Sequence, residues 1–597
     1  ITRVRVLILV ILGVFSFLSV MLWRIQVARG TEFKEDLERQ SVRRVRIPGM
    51  RGRIYDRHRE VLADNRPSYC IALYIEELRQ PGKRSRTIDR VESVIAELSG
   101  IMEIPPEITR RHIETHYQRR LPLPLIAWRD IDEVAQAKWA EKAATMPGAD
   151  QYIDAVRVYP HGEDTCHLIG YVGRAKIEKD EAEPFNYYQP EMAGIEGMEK
   201  TLDAELRGEA GGRLMRIDVK GFRRDDKTLD TLMREPRMGG DVQLTLDLRA
   251  QKTVREALGD EHGAGVVMDP RNGHILALVS TPGFDANTVR SNYSLYSLDE
   301  ENKPLFNRAV SGQYAPGSIF KPLVAIAAIE NNHVQPGMLY DCFGNFTMGG
   351  ITWRCAHRAQ HGRIGFRQAL TVSCNVFFYK LGNKIGYQPI YHQAWAAGLG
   401  QKTGIEVFNE KPGLLPDDAW SREKRGHGWR KGDTINFSIG HGALSVTPLQ
   451  MAVLASTLAQ RGRMYKPQIV LGRRASGEED FVREEPVLLK DMSWSTRTLD
   501  IVLGGMKDVV MTTRGTGHRA FVPGLVIGAK TGTAEYGPRD SRKYWGWMIA
   551  FAPYENPRYA IALVVEDAIS GGVSAGPKVS MILKELLIGA EEEESRG

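Results

Sequence analysis

The chain opens with hydrophobic positions that follow one another without a charged residue, the run Val6–Trp23. A helix of about 18 residues spans roughly 27 Å, close to the hydrocarbon thickness of a bilayer. Arg3 and Arg5 precede the run, and basic residues favour the cytoplasmic side of a membrane. We therefore expect a transmembrane helix here, after a cytoplasmic stub of residues 1–5, with the remainder outside the bacterial cytoplasmic (inner) membrane.

A cleaved signal peptide is the alternative for this run, because Ala28-Arg29-Gly30 loosely resembles a small-x-small cleavage site. The run is longer than a typical signal h-region, and Arg24 separates it from that site. A membrane anchor is the favoured interpretation. The sequence begins at Ile1 rather than methionine, so we also expect native residues before it.

Beyond the apolar run the pattern changes to short hydrophobic pairs punctuated by glycine and charge. Arg51–Asn65 is of this kind and predicts a strand and a turn. A helix is predicted over Met198–Arg207, with a tight turn at Gly208–Gly212. Residues 24–238 are expected to form an elongated, mainly β/α, non-catalytic pedestal domain. Its stretch near 76–155 is polar, helix-rich and proline-interrupted, and predicts a helical head subdomain.

A second region begins at Gly239-Gly240, where we place a domain boundary. Alternation over Asp241–Leu246 predicts a strand, and Leu248–Leu258 predicts a helix. Gly263–Pro282 predicts two strands joined at Asn272-Gly273, a strong hairpin dipeptide. Two more strands and a terminal helix are predicted at Tyr544–Ala552, Arg558–Glu566 and Lys578–Leu587. Strands from both ends with helices between them indicate an α+β domain over 239–588, an antiparallel sheet flanked by helices. An acidic tail follows at 589–597.

Length and charge narrow the functional classes. The 597 residues are enough for several domains, and the net charge is +6. This basic excess is mild and spread out, which suits an anionic cell-envelope surface and does not indicate a nucleic-acid partner.

One serine has the surroundings that acyl transfer requires. Ser318 precedes Lys321 by three residues, so the two share a helix face and Nζ can reach back toward Oγ. Pro316 and Gly317 disfavour an earlier helix start. Ser318 is therefore expected at a helix N-terminus, where N–H groups favour negative charge. Taken alone, the spacing is more typical of a surface serine that caps a helix.

Two further segments follow in order, Ser373-Cys374-Asn375 and Lys530-Thr531-Gly532-Thr533. Alone, the first is typical of a helix cap and the second of a turn. Together with the serine and lysine of the first segment, they resemble the motif set of class A β-lactamases and penicillin-binding proteins.

The resemblance extends over most of the chain. Residues from about 239 to 587 look like the transpeptidase domain of the class B penicillin-binding proteins, which implies a β-lactamase-like fold. Arg51–Asn65 and Gly194–Glu199 are similar to the pedestal motifs of this family. Gly350–Cys374 looks like the elongation type, with the division type as the close alternative.

The resemblance implies a D,D-transpeptidase that cross-links peptidoglycan stem peptides and is a target of β-lactams. Ser318 would be the nucleophile and Lys321, when neutral, the base. Lys530 would be the cation that lowers the pKa of Lys321. Ser373 would relay a proton, and Asn375 would hold Lys321 and the substrate amide.

The third segment is implied to bind substrate. Lys530, Thr531 and Thr533 would bind the terminal carboxylate, and Gly532 would leave room for the substrate backbone beside an edge strand. The N–H groups of Ser318 and Thr533 would form the oxyanion hole.

A second hypothesis, a metal site, concerns three of the five cysteines and one histidine. Cys342, Cys355, His361 and Cys374 have the spacing C-x12-C-x5-H-x12-C, a plausible tetrahedral zinc set. The resemblance to elongation-type penicillin-binding proteins also implies a structural zinc here, because members of that family hold one in the corresponding stretch, with carboxylates at some ligand positions. Possible substitute ligands are Asp341 and His357. A disulfide or reduced buried thiols are the alternatives, and the pairing of Cys70 and Cys166 in the pedestal cannot be read.

Partners are implied only by the resemblance. Elongation-type enzymes work with a lipid-II glycosyltransferase of the shape, elongation, division and sporulation family and with a rod-shape scaffold protein. A β-lactam hydrolase or sensor and a catalytically idle membrane scaffold are the alternatives from other classes. A catalytically idle scaffold would be expected to lack part of a catalytic motif, but all three motifs are intact. The pedestal domain argues against a simple β-lactam hydrolase.

Two positions depart from the family pattern. Asn375 stands where elongation-type members often carry aspartate, and His441, in Gly440-His441-Gly442, stands in place of an expected glutamine. Neither departure removes a residue to which the resemblance gives a catalytic role.

Overall fold

The computed structural model describes residues 2–28, 42–119, 121, 123–174, 186–188, 192–218, 222–224 and 233–589. The first helix is Thr2–Trp23, continued by a π-helical turn over Arg24–Ala28. The stretch Arg5–Val27 has a mean hydropathy of 2.7 and is wholly exposed. Within the described part of the chain it is the one helix long and apolar enough to cross a membrane. The predicted N-terminal helix is thus confirmed, and the acidic tail from residue 590 lies outside the described residues.

The pedestal is built on two sheets. In the first, Val42–Ile47 pairs antiparallel with Gly211–Ile217 and parallel with Asn186–Tyr188. In the second, the long strand Val61–Leu73 pairs antiparallel with Ala149–Val158 over ten residues. The shorter pedestal strands are Ile54–Tyr55, Leu125–Trp128, Val172–Arg174, Met192–Gly194, Arg223–Arg224 and Met233–Arg234.

Helices cover the far part of the second sheet and form the predicted head. They are Arg84–Met102, Arg110–Arg119 and Glu133–Lys142. The first buries one apolar stripe at helical spacing, which includes Val91, Ile95 and Leu98, against the strand that ends at Leu73. The head therefore has a small hydrophobic core of its own.

The helix predicted over Met198–Arg207 is wrong as a single element. The structure has Gly197–Thr201 and Asp203–Leu206, with a break at Leu202. The break lets the Asp203 carboxylate accept a hydrogen bond from the backbone N–H of Gly194 at 2.7 Å. A further short pedestal helix is Cys166–Ile169.

A buried carboxylate ties the pedestal elements together. Glu199 is fully buried and accepts hydrogen bonds from Arg51 Nε at 2.5 Å and from Arg157 Nε at 2.7 Å. Arg51 also donates to Asp203 at 2.8 Å. Buried charges persist in a protein when they are paired and hydrogen-bonded. This cluster therefore joins the chain near residue 51, a long strand and the two short helices.

The two domains share a sheet. Asp241–Leu244 pairs parallel with the pedestal strand Ile54–Tyr55 and antiparallel with Val470–Arg474. The backbones approach closely, because a Cβ built at Gly52 would lie 1.9 Å from the carbonyl oxygen of Gly240. The pedestal and the second domain are therefore continuous through backbone hydrogen bonds.

A five-stranded antiparallel sheet organises the second domain. From one edge to the other its strands are Ile275–Thr281, Gly263–Met268, Tyr559–Val565, Lys543–Ala552 and Gly528–Tyr536. Gly528–Tyr536, the cleft strand, is an edge strand. The predicted hairpin and the predicted C-terminal strands are confirmed.

Both faces of this sheet are buried. In the central strands the side chains alternate: Trp547, Ile549 and Phe551 join one hydrophobic core, and Met548 and Ala550 join the other. Leu248–Leu258 and Gly576–Lys584 cover the second core. The first core is covered by most of the remaining helices, which are Val289–Leu298, Arg308–Ser311, Lys321–Glu330, Phe366–Thr371, Asn375–Ile385, Tyr387–Ala396, Asp418–Arg425, Lys431–Phe437, Pro448–Ala459 and Thr496–Met511.

Short strands complete the domain and lie outside the main sheet. They are Tyr340–Cys342, Asn345–Met348, Ile351–Arg354, Gly362–Ile364, Arg463–Tyr465, Val482–Arg483 and Leu488–Asp491. The layering is helix, sheet, helix, as the α+β prediction requires.

Candidate active site

Ser318 lies in a tight turn directly before a buried helix. The turn is a 3₁₀ helix over Gly317–Phe320, and the α-helix Lys321–Glu330 begins after it with Pro322 in its first turn. Gly317 has φ of 56°, and its N–H donates to the carbonyl of Gly440 at 3.0 Å. Ser318 is thus one short turn ahead of the α-helix, not at its first residue, and its side chain is partly exposed.

Lys321 is fully buried behind the serine. Its Nζ donates to Ser373 O at 2.9 Å, to Ser373 Oγ at 3.3 Å and to Asn375 Oδ1 at 2.6 Å. Burial lowers the pKa of Lys321 to about 8, against a weaker opposing effect of the thiols of Cys374 and Cys355. Among the described residues none hydrogen-bonds Ser318 Oγ, so the expected reach of Lys321 back to the serine is not seen here.

Ser373 connects the second and third segments. Its Oγ accepts from Lys530 Nζ at 2.9 Å, and its backbone is left-handed, with φ of 53°. Lys530 is fully buried, and burial, followed by repulsion from Lys321, lowers its pKa well below the ordinary value. The charge effect expected of Lys530 on Lys321 thus falls on Lys530, and burial is the main cause for both lysines.

The cleft strand meets the turn of Ser318 through a glycine. A Cβ built at Gly532 would lie 2.7 Å from Pro316 O and 3.2 Å from Ile319 N. Gly532 is expected from the family resemblance to leave room for the substrate backbone, but the protein's own turn occupies the space that a Cβ would take. Thr533 follows on the same strand, and its Oγ1 accepts from the N–H of Gly571 at 3.2 Å.

Two supporting residues were missed from the sequence. Trp547, which pairs with Gly532 in the sheet, donates its indole N–H to Ala315 O at 3.1 Å. Thr516 Oγ1 lies 2.7 Å from Thr531 Oγ1. The alternation of the predicted strand over 544–552 gives the face of the tryptophan, but no local signal in the sequence points to Thr516.

The predicted zinc residues also converge. The ligand atoms of Cys342, Cys355, His361 and Cys374 lie within 4.8 Å of one another. His361 Nδ1 is 3.5 Å from the Cys342 sulfur and 3.7 Å from the Cys355 sulfur, and the sulfurs of Cys355 and Cys374 are 3.9 Å apart. Four-coordinate zinc with Zn–S bonds of about 2.3 Å implies sulfur separations of about 3.8 Å. The donor set therefore fits this ion.

Other features of the cluster agree with the fit. The hydrogen bond between the two sulfurs lowers the pKa of Cys355 and raises that of Cys374, so Cys355 is the favoured thiolate of the pair, and the thiolate is the form that binds metal. All five cysteines of the chain are free. Cys374 caps the helix Asn375–Ile385, where its sulfur accepts from Phe377 N. Of the substitute ligands, Asp341 is exposed and the side chain of His357 lies outside the described residues.

Family models match both domains. Residues 263–586 match the penicillin binding protein transpeptidase domain, and residues 46–244 match the penicillin-binding protein dimerisation domain. The fold and the three converging segments thus define a penicillin-binding transpeptidase.

Relatives give the family more closely. The peptidoglycan D,D-transpeptidase MrdA of Acinetobacter baumannii is 31% identical, over 92% of this chain and 82% of the relative. The solved complex of penicillin-binding protein PBP2 with MreC from Helicobacter pylori aligns with a TM-score of 0.75 and 26% identity, over 92% of this chain and all of that one. A chain of a solved peptidoglycan synthase complex that coordinates polymerization and crosslinking aligns with a TM-score of 0.70 and 27% identity, over 98% of both chains.

The chain belongs to the class B penicillin-binding proteins of the elongation type, and it is a peptidoglycan D,D-transpeptidase. The relatives favour this function over the division-type and hydrolase alternatives.

Proposed function

We propose that Ser318 attacks the penultimate D-Ala carbonyl of a stem peptide and that Lys321 accepts its proton. The observation that carries this assignment is the fully buried amine of Lys321, which has a pKa of about 8 and is therefore partly neutral near pH 7. A lysine acts as a base only when neutral, and burial is the ordinary means to that end. Ser318 is partly exposed, so a substrate can reach its hydroxyl from solvent.

Ser373 transfers a proton toward the leaving D-Ala. Support comes from its hydroxyl, which contacts both Lys321 Nζ and Lys530 Nζ. Asn375 orients Lys321 through the bond of 2.6 Å to its Oδ1. The asparagine in place of aspartate leaves this bond neutral, which keeps the lysine pKa lower than a carboxylate would.

Lys530 and the threonines of the cleft strand bind the terminal carboxylate. A bound carboxylate favours the charged form of Lys530, because an opposite charge raises the pKa of an amine. The backbone N–H groups of Ser318 and Thr533 donate to the oxyanion. The two backbones are adjacent, since a Cβ built at Gly317 would lie 2.8 Å from Thr533 O. Gly532 permits this approach.

Covalent labelling tests the assignment. Fluorescent penicillin labels the full chain in detergent, and Ser318→Ala abolishes the label. Ser291→Ala, on an exposed helix, is the matched control and retains it. Persistent covalent labelling of Ser318→Ala would rule out this nucleophile.

We also propose that Cys342, Cys355, His361 and Cys374 hold a structural zinc ion. Zinc supplies a fixed tetrahedral crosslink and no redox chemistry. Through Cys374, these residues fix the helix start that carries Ser373 and Asn375. Support comes from the spacing of the donor atoms and the favoured thiolate of Cys355.

Elemental analysis of protein purified without added zinc tests this second proposal. We expect about one equivalent of zinc, retained by Cys70→Ala in the pedestal and lost in Cys342→Ala. Less than about half an equivalent of zinc, together with a mapped Cys355–Cys374 disulfide, would rule out the structural zinc ion.

The N-terminal helix anchors the chain once in the cytoplasmic membrane, with Arg3 and Arg5 inside and the two domains outside. This topology follows from the length of Arg5–Val27 and the flanking charge. The solved complex with MreC supports a scaffold partner, and the peptidoglycan synthase complex supports a polymerizing partner. We propose that these are a rod-shape scaffold protein and a lipid-II glycosyltransferase of the shape, elongation, division and sporulation family. Co-purification of each partner with the full chain, and its loss when Arg5–Val27 is exchanged for an unrelated apolar helix, tests the role of the anchor in each contact.

A further inference from the structure

One histidine in the cleft has no role in the acylation scheme. His441 lies between two glycines with positive φ, 75° at Gly440 and 88° at Gly442, so its segment makes a tight turn after the helix Lys431–Phe437. The turn is fixed from both sides: His441 N donates to Asn436 O at 3.0 Å, and Gly440 O accepts from Gly317 N at 3.0 Å. The histidine segment is therefore held against the turn that carries Ser318, and the ring lies within reach of the charge of Lys321.

The hydrogen bonding of the ring defines which nitrogen faces a ligand. Nδ1 lies 3.1 Å from the carbonyl oxygen of Ile439, and a carbonyl only accepts, so Nδ1 carries the hydrogen. In the neutral ring Nε2 then presents a lone pair. Within the described part of the chain no residue hydrogen-bonds Nε2, and the side chain is partly exposed. A Cβ built at Gly442 would meet nothing within 4 Å, so there is open space beside the residue that follows the histidine.

The surroundings keep the ring neutral. Burial lowers the pKa of His441, and the charge of Lys321 lowers it further, against raising effects of the Ile439 carbonyl and Glu535. Lys321 and Glu535 are the charged side chains of the described residues that act on the ring, and Glu535 also pairs with Arg542. A lone pair at Nε2 binds an N–H donor and repels a carboxylate, so it does not suit the donor peptide's terminal carboxylate.

We propose that His441 binds the acyl acceptor: Nε2 accepts a hydrogen bond from the amine of the second stem peptide and so aims its nitrogen lone pair at the acyl-enzyme carbonyl. This inference rests on the proposed Ser318 acyl-enzyme. In the step it serves, the amine nitrogen bonds to the ester carbonyl carbon and the bond from that carbon to Ser318 Oγ breaks. One amine proton passes through the neutral Lys321 to Oγ, and the other remains on the new amide. His441 gains no proton in this scheme.

A two-substrate assay with the full chain in detergent tests the proposal. The donor is a thioester analogue of the D-Ala-D-Ala terminus, and the acceptor is D-alanine. Loss of one hydrogen bond in His441→Ala raises the KM for D-alanine about tenfold. His441→Gln retains an accepting oxygen and restores most of the loss. The matched control is His427→Ala, in the similar segment Gly426-His427-Gly428, where the ring lies near the carbonyl of Gly428.

The pH profile separates binding by the ring from a structural effect. Protonation would put a hydrogen on Nε2, so the ring could no longer accept from the amine N–H and would instead donate to the nitrogen lone pair that must attack the carbonyl. The ratio of wild-type to His441→Gln aminolysis therefore falls on the acid side of about pH 6.5, and this ratio cancels the titration of D-alanine itself. The same ratio keeps the proposal testable if His441→Ala does not fold.

Three outcomes overturn the proposal: a flat ratio across pH, a rise in the donor KM in place of the acceptor KM, or an equal loss of penicillin acylation and aminolysis in His441→Ala. Failure of the acyl-enzyme itself is distinguishable, because wild-type protein would then take up no fluorescent penicillin at Ser318.

Discussion

Lys321 and Lys530 are fully buried and meet at one oxygen, Ser373 Oγ, at 3.3 and 2.9 Å. Two buried amines cannot both be charged this close without a large penalty, since like charges disfavour ionisation. In the proposed scheme a bound carboxylate charges Lys530, whose pKa is lowered more strongly, and Lys321 serves as the neutral base. The hydroxyl of Ser373 connects the two amines, so proton transfer between them would pass through its Oγ atom.

Removal of the Ser373 hydroxyl tests the bridge. We expect Ser373→Ala to slow acylation by penicillin about 100-fold or more, a usual effect of losing a proton-transfer group. The measurement is the second-order rate constant for covalent labelling. Because Ser373 has φ of 53°, Ser373→Gly relieves backbone strain while it also removes the hydroxyl. An active glycine variant would show that strain, not the hydroxyl, explains the alanine result.

The pH dependence of acylation tests the base. Only neutral Lys321 accepts a proton, and its folded-state pKa is about 8, below the ordinary value of 10.5. The rate should therefore rise with pH through about 8 and level off above it. The profile is measured by labelling between pH 6 and 9.5. The midpoint belongs to the coupled pair of lysines, and a rate that still rises steeply at pH 9.5 would contradict a buried base.

Gly532→Ala tests the contact between the cleft strand and the nucleophile turn. A methyl group would lie 2.7 Å from Pro316 O, so the strand must move away from Ser318. A displacement near 1 Å typically costs about 100-fold in rate, and we expect acylation to fall by this order. The control is Gly337→Ala, because a Cβ at Gly337 meets nothing within 4 Å. Equal acylation rates for the two variants would show that the cleft strand can accommodate the methyl group without displacing Ser318.

Glu199→Ala tests the buried cluster of the pedestal. It leaves Arg51 and Arg157 without their buried carboxylate, and breaking a buried pair typically costs about 3–5 kcal/mol. Thermal unfolding of the full chain should shift down accordingly. Glu209→Ala breaks exposed pairs with Arg234 and Arg237, which are worth about 1 kcal/mol or less. Similar shifts for both variants would mean that water enters the Glu199 site.

Much of this architecture is predictable from local patterns. The strands near Asn272-Gly273 and over 544–552 follow from alternation and a turn dipeptide, and the helix Leu248–Leu258 ends where Gly259 follows. The break at Leu202 was not predictable from the local pattern, because the hydrogen bond that accompanies it joins Asp203 to the backbone of Gly194, outside the helix.

The active site, like the fold, is predictable from the sequence only in part. Spacing placed Ser318 and Lys321 on one turn, but only tertiary packing brings Ser373 Oγ to both lysines. It also fills the space at Gly532 with Pro316. Sequence distance hides such contacts, since more than 150 residues separate Ser373 from Lys530.

The strand Asp241–Leu244 has a practical consequence, because its neighbour Ile54–Tyr55 belongs to the other domain. A recombinant fragment cut near residue 239 would expose an unpaired edge, and such edges recruit other chains and aggregate. Soluble truncations should therefore start upstream of Arg51, even when only the penicillin-reactive portion is wanted.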